Sequence, residues 1–342
     1  MLPACQATPQ AAAAPPTPVA TAVRATQPPV VVAVTATATD LPSFAPLSPE
    51  EMATATATAT PTVTPAAAKE ESVAEATPTP PPTFTPPALP NTSPHEHYWL
   101  RRPVAEGGVV WTDKYYPYGG TRGGQLRPHH GVEFNVPYNT EILAAASGTV
   151  RVAGSDADIV YGPHTNFYGN LVVVEHDSSF EGQPAFTLYG HLNEVRVAAD
   201  QHVEVGEVLG LSGATGVADG PHMHFEVRVG VNSYEATYNP LLWLYPFPSR
   251  GTVAGRVIWP DGSKVEGAPV TLTRVDGPSP YYATTSYSGN SVNADFGWRE
   301  NFAIDDVVAG YYEVVVKMGS KKYKAETWVY PYQTSFVEIV LE

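Results

Sequence analysis

Gly220-Pro221-His222-Met223-His224-Phe225-Glu226-Val227 is the stretch on which the reading of this chain turns. In an extended strand, residues i and i+2 face the same side. The sequence therefore predicts that His222 and His224 point together into one space. Met223, Phe225 and Val227 turn the other way, into a core. Just upstream, Gly210-Leu211-Ser212-Gly213-Ala214-Thr215-Gly216 is a glycine-rich turn that brings the chain tightly into that strand. An isolated His-x-His is most often a pair of surface histidines on a half-exposed strand. What surrounds this pair changes the reading.

All 10 histidines lie between His95 and His224. That clustering marks the middle of the chain as the metal or acid-base region. Its segments are short, punctuated by glycine and rich in Val, Tyr and Phe. Residues 131–136, 141–152, 170–175, 185–192 and 203–211 read as strands, and no long helical period intervenes. A mostly antiparallel β domain with one polar-lined face is expected. Three places within it offer ligands: His129-His130-Gly131-Val132-Glu133, Tyr189-Gly190-His191-Leu192, and His222-Met223-His224. Catalytic zinc takes three protein ligands from His and carboxylate and keeps a position for water. His129, Glu133 and His224 would supply that set, with His191 and His222 left as acid-base or electrostatic groups. These residues are far apart in sequence, so only the fold can assemble them. His95-Glu96-His97 has the spacing of a ligand pair but nothing to pair with, and reads as solvated linker edge. Glu226, on the histidine face, reads as either a partner behind the ligands or a simple surface acid.

The formal net charge of −15 argues against nucleic acid as a partner, because a phosphate-binding surface needs clustered Lys and Arg. No apolar run approaches the roughly 20 residues of a membrane-spanning helix. Residues 1–94 are a run of Ala, Thr and Pro, as in Pro78-Thr79-Pro80-Pro81-Pro82-Thr83. Such a segment buries too little surface to offset the entropy of ordering, and reads as a disordered, extended stalk. The single cysteine, Cys5, excludes an internal disulfide. Leu2-Pro3-Ala4-Cys5 resembles the end of a bacterial lipoprotein signal, whose Cys takes the lipid. The stalk behind it suits a membrane-tethered enzyme, with a basic and apolar signal expected upstream.

Taken together, the histidine motifs resemble those of the lysostaphin-type, LytM-type zinc endopeptidases that cut peptidoglycan. That family's pattern is His-x-x-x-Asp, a His in Tyr-x-His-Leu, then His-x-His followed by Phe-Glu. The chain has all three in order, and Ala144 to Val150 is similar to the family's Ala-x-x-Gly-x-Val strand. The resemblance covers residues 95–248. It implies that His129 and His224 are zinc ligands and that His191 and His222 are catalytic. One position departs: the family's Asp falls on Glu133, still an oxygen ligand but one methylene longer. The implied activity is zinc-dependent hydrolysis of stem peptides or cross-bridges at the cell envelope. The alternative is a silent relative that binds peptidoglycan and activates or positions another hydrolase.

After Pro248 the character changes. Residues 251–342 lack His and Cys and alternate apolar residues with turns at short intervals. Gly255 to Gly262, Gly267 to Leu272 and Gly310 to Val316 predict a β-sandwich of seven or eight strands. These patterns resemble the carboxypeptidase regulatory-like, transthyretin-type domains of bacterial surface proteins.

Overall fold

Among the described residues of the computed structural model, short runs of β-branched and aromatic residues between glycine-containing turns form 16 strands, with two single-turn 3-10 helices, Tyr234–Ala236 and Pro240–Leu242. The structure describes residues 95–342 except 106, 279, 280, 289 and 291. The stalk of residues 1–94 and the lipid site at Cys5 lie outside the described residues. No helix among the described residues is long and apolar enough to cross a membrane. The expected mostly β, largely antiparallel architecture is what the chain adopts.

Nine strands make the first sheet: β1 (Val132–Phe134), β2 (Glu141–Leu143), β3 (Gly148–Ser155), β4 (Asn170–His176), β5 (Ala185–Val195), β6 (His202–Val203), β7 (Val208–Ser212), β8 (Met223–Val229) and β9 (Thr237–Tyr238). Its main path runs β1-β8-β5-β4-β3-β6, with β7 joining β5 to β2 and β9 on β8. Residues 141–152, expected as one strand, form two. Between them Ala144 and Ala145 are fully buried, and the Ala145 N–H leaves the ladder to donate to the Tyr189 hydroxyl at 2.8 Å.

β8 sits between β1 and β5, and all seven of its residues are buried. Met223, Phe225, Val227 and Val229 join Val132, Phe134, Val174 and Tyr189 in the main apolar core. Burial of each such side chain stabilises the fold by roughly 1.5–3 kcal/mol. His224, Glu226 and Arg228 occupy the opposite face, beside a smaller cluster of Tyr168, Leu171, Val173, Phe186 and Leu188. The period-two pattern thus separates chemistry from core within one strand.

The remaining strands are β10 (Arg250–Ile258), β11 (Pro269–Arg274), β12 (Tyr282–Thr285), β13 (Phe302–Val308), β14 (Gly310–Met318), β15 (Lys321–Val329) and β16 (Thr334–Val340). They form sheets ordered β13-β10-β16 and β12-β11-β14-β15. β10 and β16 pair in parallel, a pairing the sequence did not suggest. Val253, Val257, Phe302 and Ile339 of the first sheet pack with Val270, Leu272, Val314 and Val316 of the second in one core. Ala254, Tyr287, Val292 and Ala303 instead join the core of the nine-stranded sheet, so apolar contact crosses the segment around residue 250.

Of His95-Glu96-His97, expected to be solvated, His95 is exposed, but Glu96 and His97 are corrected by the fold. His97 is buried against the rings of Trp243 and Phe180, and its Nε2 lies 3.1 Å from Asp295 Oδ2. Glu96 accepts a hydrogen bond from the Thr334 N–H at 2.8 Å. These partners come from the far end of the chain, where no local pattern announces them.

Candidate metal centre

The centre begins with the pairing of β1 and β8, which sets Glu133 opposite His224. His129 precedes β1, in a turn that exchanges backbone hydrogen bonds with Gly119 and Gly120. Its ring stacks on Tyr116 at 4.0 Å and 6°. Gly131 makes the close approach possible: a Cβ there would lie 2.4 Å from the Phe225 carbonyl oxygen and 2.8 Å from the His224 ring.

His191 reaches the site through a backbone irregularity. Strict alternation along β5 would place it on the side of Tyr189, in the core. Instead the ladder shifts register between Asn170 and Val172 opposite it, and His191 takes a left-handed φ of 61°. A bulge of this kind re-aims a side chain. Leu192 then packs into the core with Tyr189, while the His191 ring lies 4.7 Å from His222 and 5.8 Å from His224. The left-handed backbone costs about 1–3 kcal/mol, held in place by the neighbouring structure.

The donor atoms converge. His129 Nε2 lies 2.9 Å from Glu133 Oε1 and 3.2 Å from His224 Nδ1. His224 Nδ1 lies 3.0 Å from the same Glu133 oxygen. A tetrahedral centre with bonds of about 2.0–2.1 Å holds its ligand atoms roughly 3.3 Å apart, so this triangle matches in size. His222 Nε2 lies 3.5 Å from Glu133 Oε2, which is buried and accepts no hydrogen bond. A buried carboxylate oxygen without a donor is costly unless a cation completes its environment.

Every histidine here is fixed by its other nitrogen. The Nδ1–H of His129 donates to the Tyr116 carbonyl at 2.7 Å, that of His191 to Thr215 at 2.8 Å, and that of His222 to Gly220 at 2.8 Å. Each leaves Nε2 for the centre. His224 is reversed: its Nε2–H donates to Glu226 at 3.0 Å, freeing Nδ1. Glu226 is fully buried, accepts from the Tyr168 hydroxyl, and pairs with the buried Arg228 at 2.7 Å. This carboxylate behind a ligating ring fixes its tautomer and raises its basicity.

The charges are those of a pocket suited to a cation. Burial by itself would lower the His224 pKa, but Glu133 and Glu226 outweigh it and push it up to about 10. Burial likewise opposes ionisation of Glu133, yet His224 and His129 hold it well below the usual carboxylate range. Glu226, buried but facing Arg228 and His224, is held down at about 2. His191, buried and beside His224, falls to about 4 and is neutral at pH 7.

All four histidines and Glu133 line one cleft of about 640 Å³, walled also by Tyr116, Arg122, Arg127, Phe167 and Tyr234. Glu226, left open in the sequence between partner and surface acid, is the buried partner. Arg228, Tyr168 and Tyr116 had no motif to announce them. His130 also borders the cleft but stays out of the donor cluster, its Nδ1–H shared between the Tyr234 carbonyl and the Thr237 hydroxyl. His129, Glu133 and His224 are the cluster of three among the described residues whose donor atoms all lie within 4.8 Å of one another.

An all-β scaffold aiming two histidines and a glutamate at one point in an open cleft defines a candidate metal centre. Residues 127–239 match peptidase family M23, and the chain carries a peptidase M23 domain there. It is similar to an uncharacterized metalloprotease of Haemophilus influenzae, 34% identical over 128 residues, covering 37% of this chain and 23% of that protein. It is also similar to the peptidoglycan DD-endopeptidase ShyB of Vibrio cholerae, 36% identical over 106 residues, covering 31% of this chain and 22% of that protein. Among solved structures it resembles the catalytic domain of the antimicrobial peptidase lysostaphin from Staphylococcus simulans, with 30% identity, 38% of this chain and 90% of that chain covered, and a TM-score of 0.31. The chain thus spans under a quarter of the length of these two curated relatives.

Proposed function

We propose that this protein is a zinc-dependent endopeptidase acting on peptidoglycan peptides at the cell envelope, with Cys5 as its lipid attachment site. The observation that carries the reading is Glu133, whose Oε1 lies about equally far from His129 Nε2 and His224 Nδ1 while its buried Oε2 has no donor. His129, Glu133 and His224 would hold the metal. Glutamate in place of aspartate fits, because its carboxylate already reaches both rings. Bound zinc would act as a Lewis acid and lower the pKa of a coordinated water. The names of the relatives, metalloprotease and peptidoglycan DD-endopeptidase, support this activity and substrate class.

The chain's own groups do the rest. His191, neutral and donating through Nδ1, presents Nε2 as a proton acceptor in the cleft. His222 presents Nε2 beside it, placed to hold a proton against the oxyanion that develops on the scissile carbonyl. Tyr116 keeps His129 in plane, and Glu226 keeps His224 in the tautomer that frees Nδ1.

The test uses the full chain on purified sacculi, with zinc, with chelator, and as His222→Ala and His191→Ala. Zinc-dependent solubilisation, lost on chelation and reduced about 10²–10⁴-fold in either variant while zinc is retained, is expected. Sacculus binding without solubilisation by the zinc-loaded protein would identify it instead as a silent factor that positions another hydrolase.

A further inference from the structure

A second cavity, of about 570 Å³, lies away from the histidine cleft and is lined by Tyr238, Arg256, Lys264, Asn293, Phe296 and Arg299. Three cations converge there in a chain of net charge −15. Like charges at one concave surface repel, so a ligand of opposite sign relieves the arrangement.

Their partners leave positive charge in excess. One Arg256 nitrogen pairs with Glu338, but its Nε is buried with no hydrogen-bond partner. Lys264 spends its Nζ on the Glu300 carbonyl, at 2.9 Å, and not on a carboxylate. Burial lowers its pKa, Glu300 works against that, and Arg256 and Arg299 add smaller contributions to the lowering. Arg299 is exposed, and its side chain makes no hydrogen bond or ion pair among the described residues. The nearby Glu300 carboxylate faces inward, engaged by the Tyr287 hydroxyl and the Asp295 N–H. Guanidinium groups suit carboxylate and phosphate because they donate two parallel hydrogen bonds.

The wall beside the cations is aromatic. Tyr238 and Phe296 stack at 4.6 Å and 25°. Asn293 commits its amide nitrogen to the carbonyls of Glu235 and Thr237, leaving its side-chain oxygen as an acceptor. Ring surface, acceptor and cations together describe a flat polar ligand with an acidic group. Tyr238 pairs with Val227 on β8, three residues from His224, or about 10 Å along the strand. A ligand held here would therefore sit against β9, the strand paired with the one that carries His224.

We propose that this cavity binds an anionic sugar, its ring against Tyr238 and Phe296 and its carboxylate or phosphate among Arg256, Lys264 and Arg299. The assignment does not depend on the hydrolase reading. Titration calorimetry on the full chain tests it, with glucuronate, glucose 6-phosphate, glucose and inorganic phosphate as probes. Chelator is present throughout, so that no metal in the histidine cleft captures the anion. The acidic sugars should bind, more weakly as salt rises, and glucose should not. The tighter of glucuronate and glucose 6-phosphate identifies the acid. Arg299→Gln, at an exposed position, should weaken binding about 10–100-fold. Phe296→Ala should weaken the sugars but not inorganic phosphate. Unchanged affinity in Arg299→Gln, or glucose binding equal to that of the acidic sugars, would overturn the site. Inorganic phosphate binding as tightly as glucose 6-phosphate would overturn the ring contact.

Discussion

His224 Nε2 lies 3.0 Å from Glu226 Oε1, so the ring that faces the candidate metal with one nitrogen is anchored on a fully buried carboxylate with the other. Glu226 in turn neutralises Arg228, which is also fully buried. The pair thus serves both tautomer and fold. Glu226→Gln keeps an acceptor but loses the charge. Zinc affinity should fall about 10–100-fold, as for other carboxylates behind a ligating His. Stability should fall by about 3–5 kcal/mol, because Arg228 is left as an uncompensated buried charge. Competition with a chelating dye reads the first effect and thermal unfolding of the metal-free protein the second. Unchanged zinc affinity would show that Glu226 serves the fold alone.

The left-handed backbone at His191 gives an unusual ordering of variants. A Cβ in that conformation costs about 1–2 kcal/mol, which glycine avoids. Glycine loses roughly 0.5–1 kcal/mol of that advantage to its freer unfolded state. Both His191→Gly and His191→Ala remove the imidazole, so their difference isolates the backbone. The Gly variant should be the more stable by about 0.5–1 kcal/mol in denaturant titrations. The reverse order would mean that the bulge relaxes once the imidazole is gone.

The candidate site was legible where its residues follow strand periodicity. His224 and Glu226 share a face because they are two apart, and Met223 and Phe225 fill the core for the same reason. His129 and Glu133 could be grouped with His224 from their ligand chemistry and from the resemblance, but not from any local period, since the register of β1 against β8 is a property of the sheet. Arg228 was not legible as buried: a charged residue near the end of a strand ordinarily marks solvent, and its place inside is explained by Glu226, the Tyr161 carbonyl, the Tyr168 hydroxyl and the Asn232 side chain, none of which a local pattern announces. Tyr116 and Tyr168 act from loops, where no period operates. His97 defies its local pattern because Asp295 reaches it from across the chain. The parallel β10–β16 pairing joins the two ends of the C-terminal region and leaves no local trace.

Glu133 is where the chain departs from the resemblance, and its geometry decides between two outcomes. Its Oε1 stands 2.9 Å from His129 Nε2 and 3.0 Å from His224 Nδ1. Glu133→Ala leaves two histidines and should lose stoichiometric zinc. Glu133→Asp withdraws the carboxylate by about one C–C bond, 1.5 Å, from rings whose other nitrogens are fixed. It should bind zinc more weakly and solubilise sacculi no faster than the parent. Metal analysis and sacculus turbidity measure both. A silent parent rescued by Glu133→Asp would show that the longer side chain blocks the centre.

Glu300 makes stability depend on pH away from the metal. Burial pushes its carboxyl up to about 7, against hydrogen bonds from Tyr287 and the Asp295 N–H that hold it down. Unfolded, a glutamate titrates near 4.3. Between those values the folded chain keeps a proton that the unfolded chain has released. The folded state then binds more protons, so stability must fall as pH rises through the window. Each pH step between the two values weakens the fold by about 1.4 kcal/mol, so the full loss is on the order of 4 kcal/mol and is complete above the folded value. Glu300→Gln cannot ionise, but it still offers an oxygen to the Asp295 N–H and an N–H to the Tyr287 oxygen. Thermal midpoints of parent and variant should therefore lie close together near pH 5 and separate toward pH 8, the variant becoming the more stable. Asp306, also pushed up, to about 6, is common to both proteins and cancels in the difference. Midpoints that stay parallel from pH 5 to 8 would mean that Glu300 is ionised throughout and that its hydrogen bonds outweigh its burial.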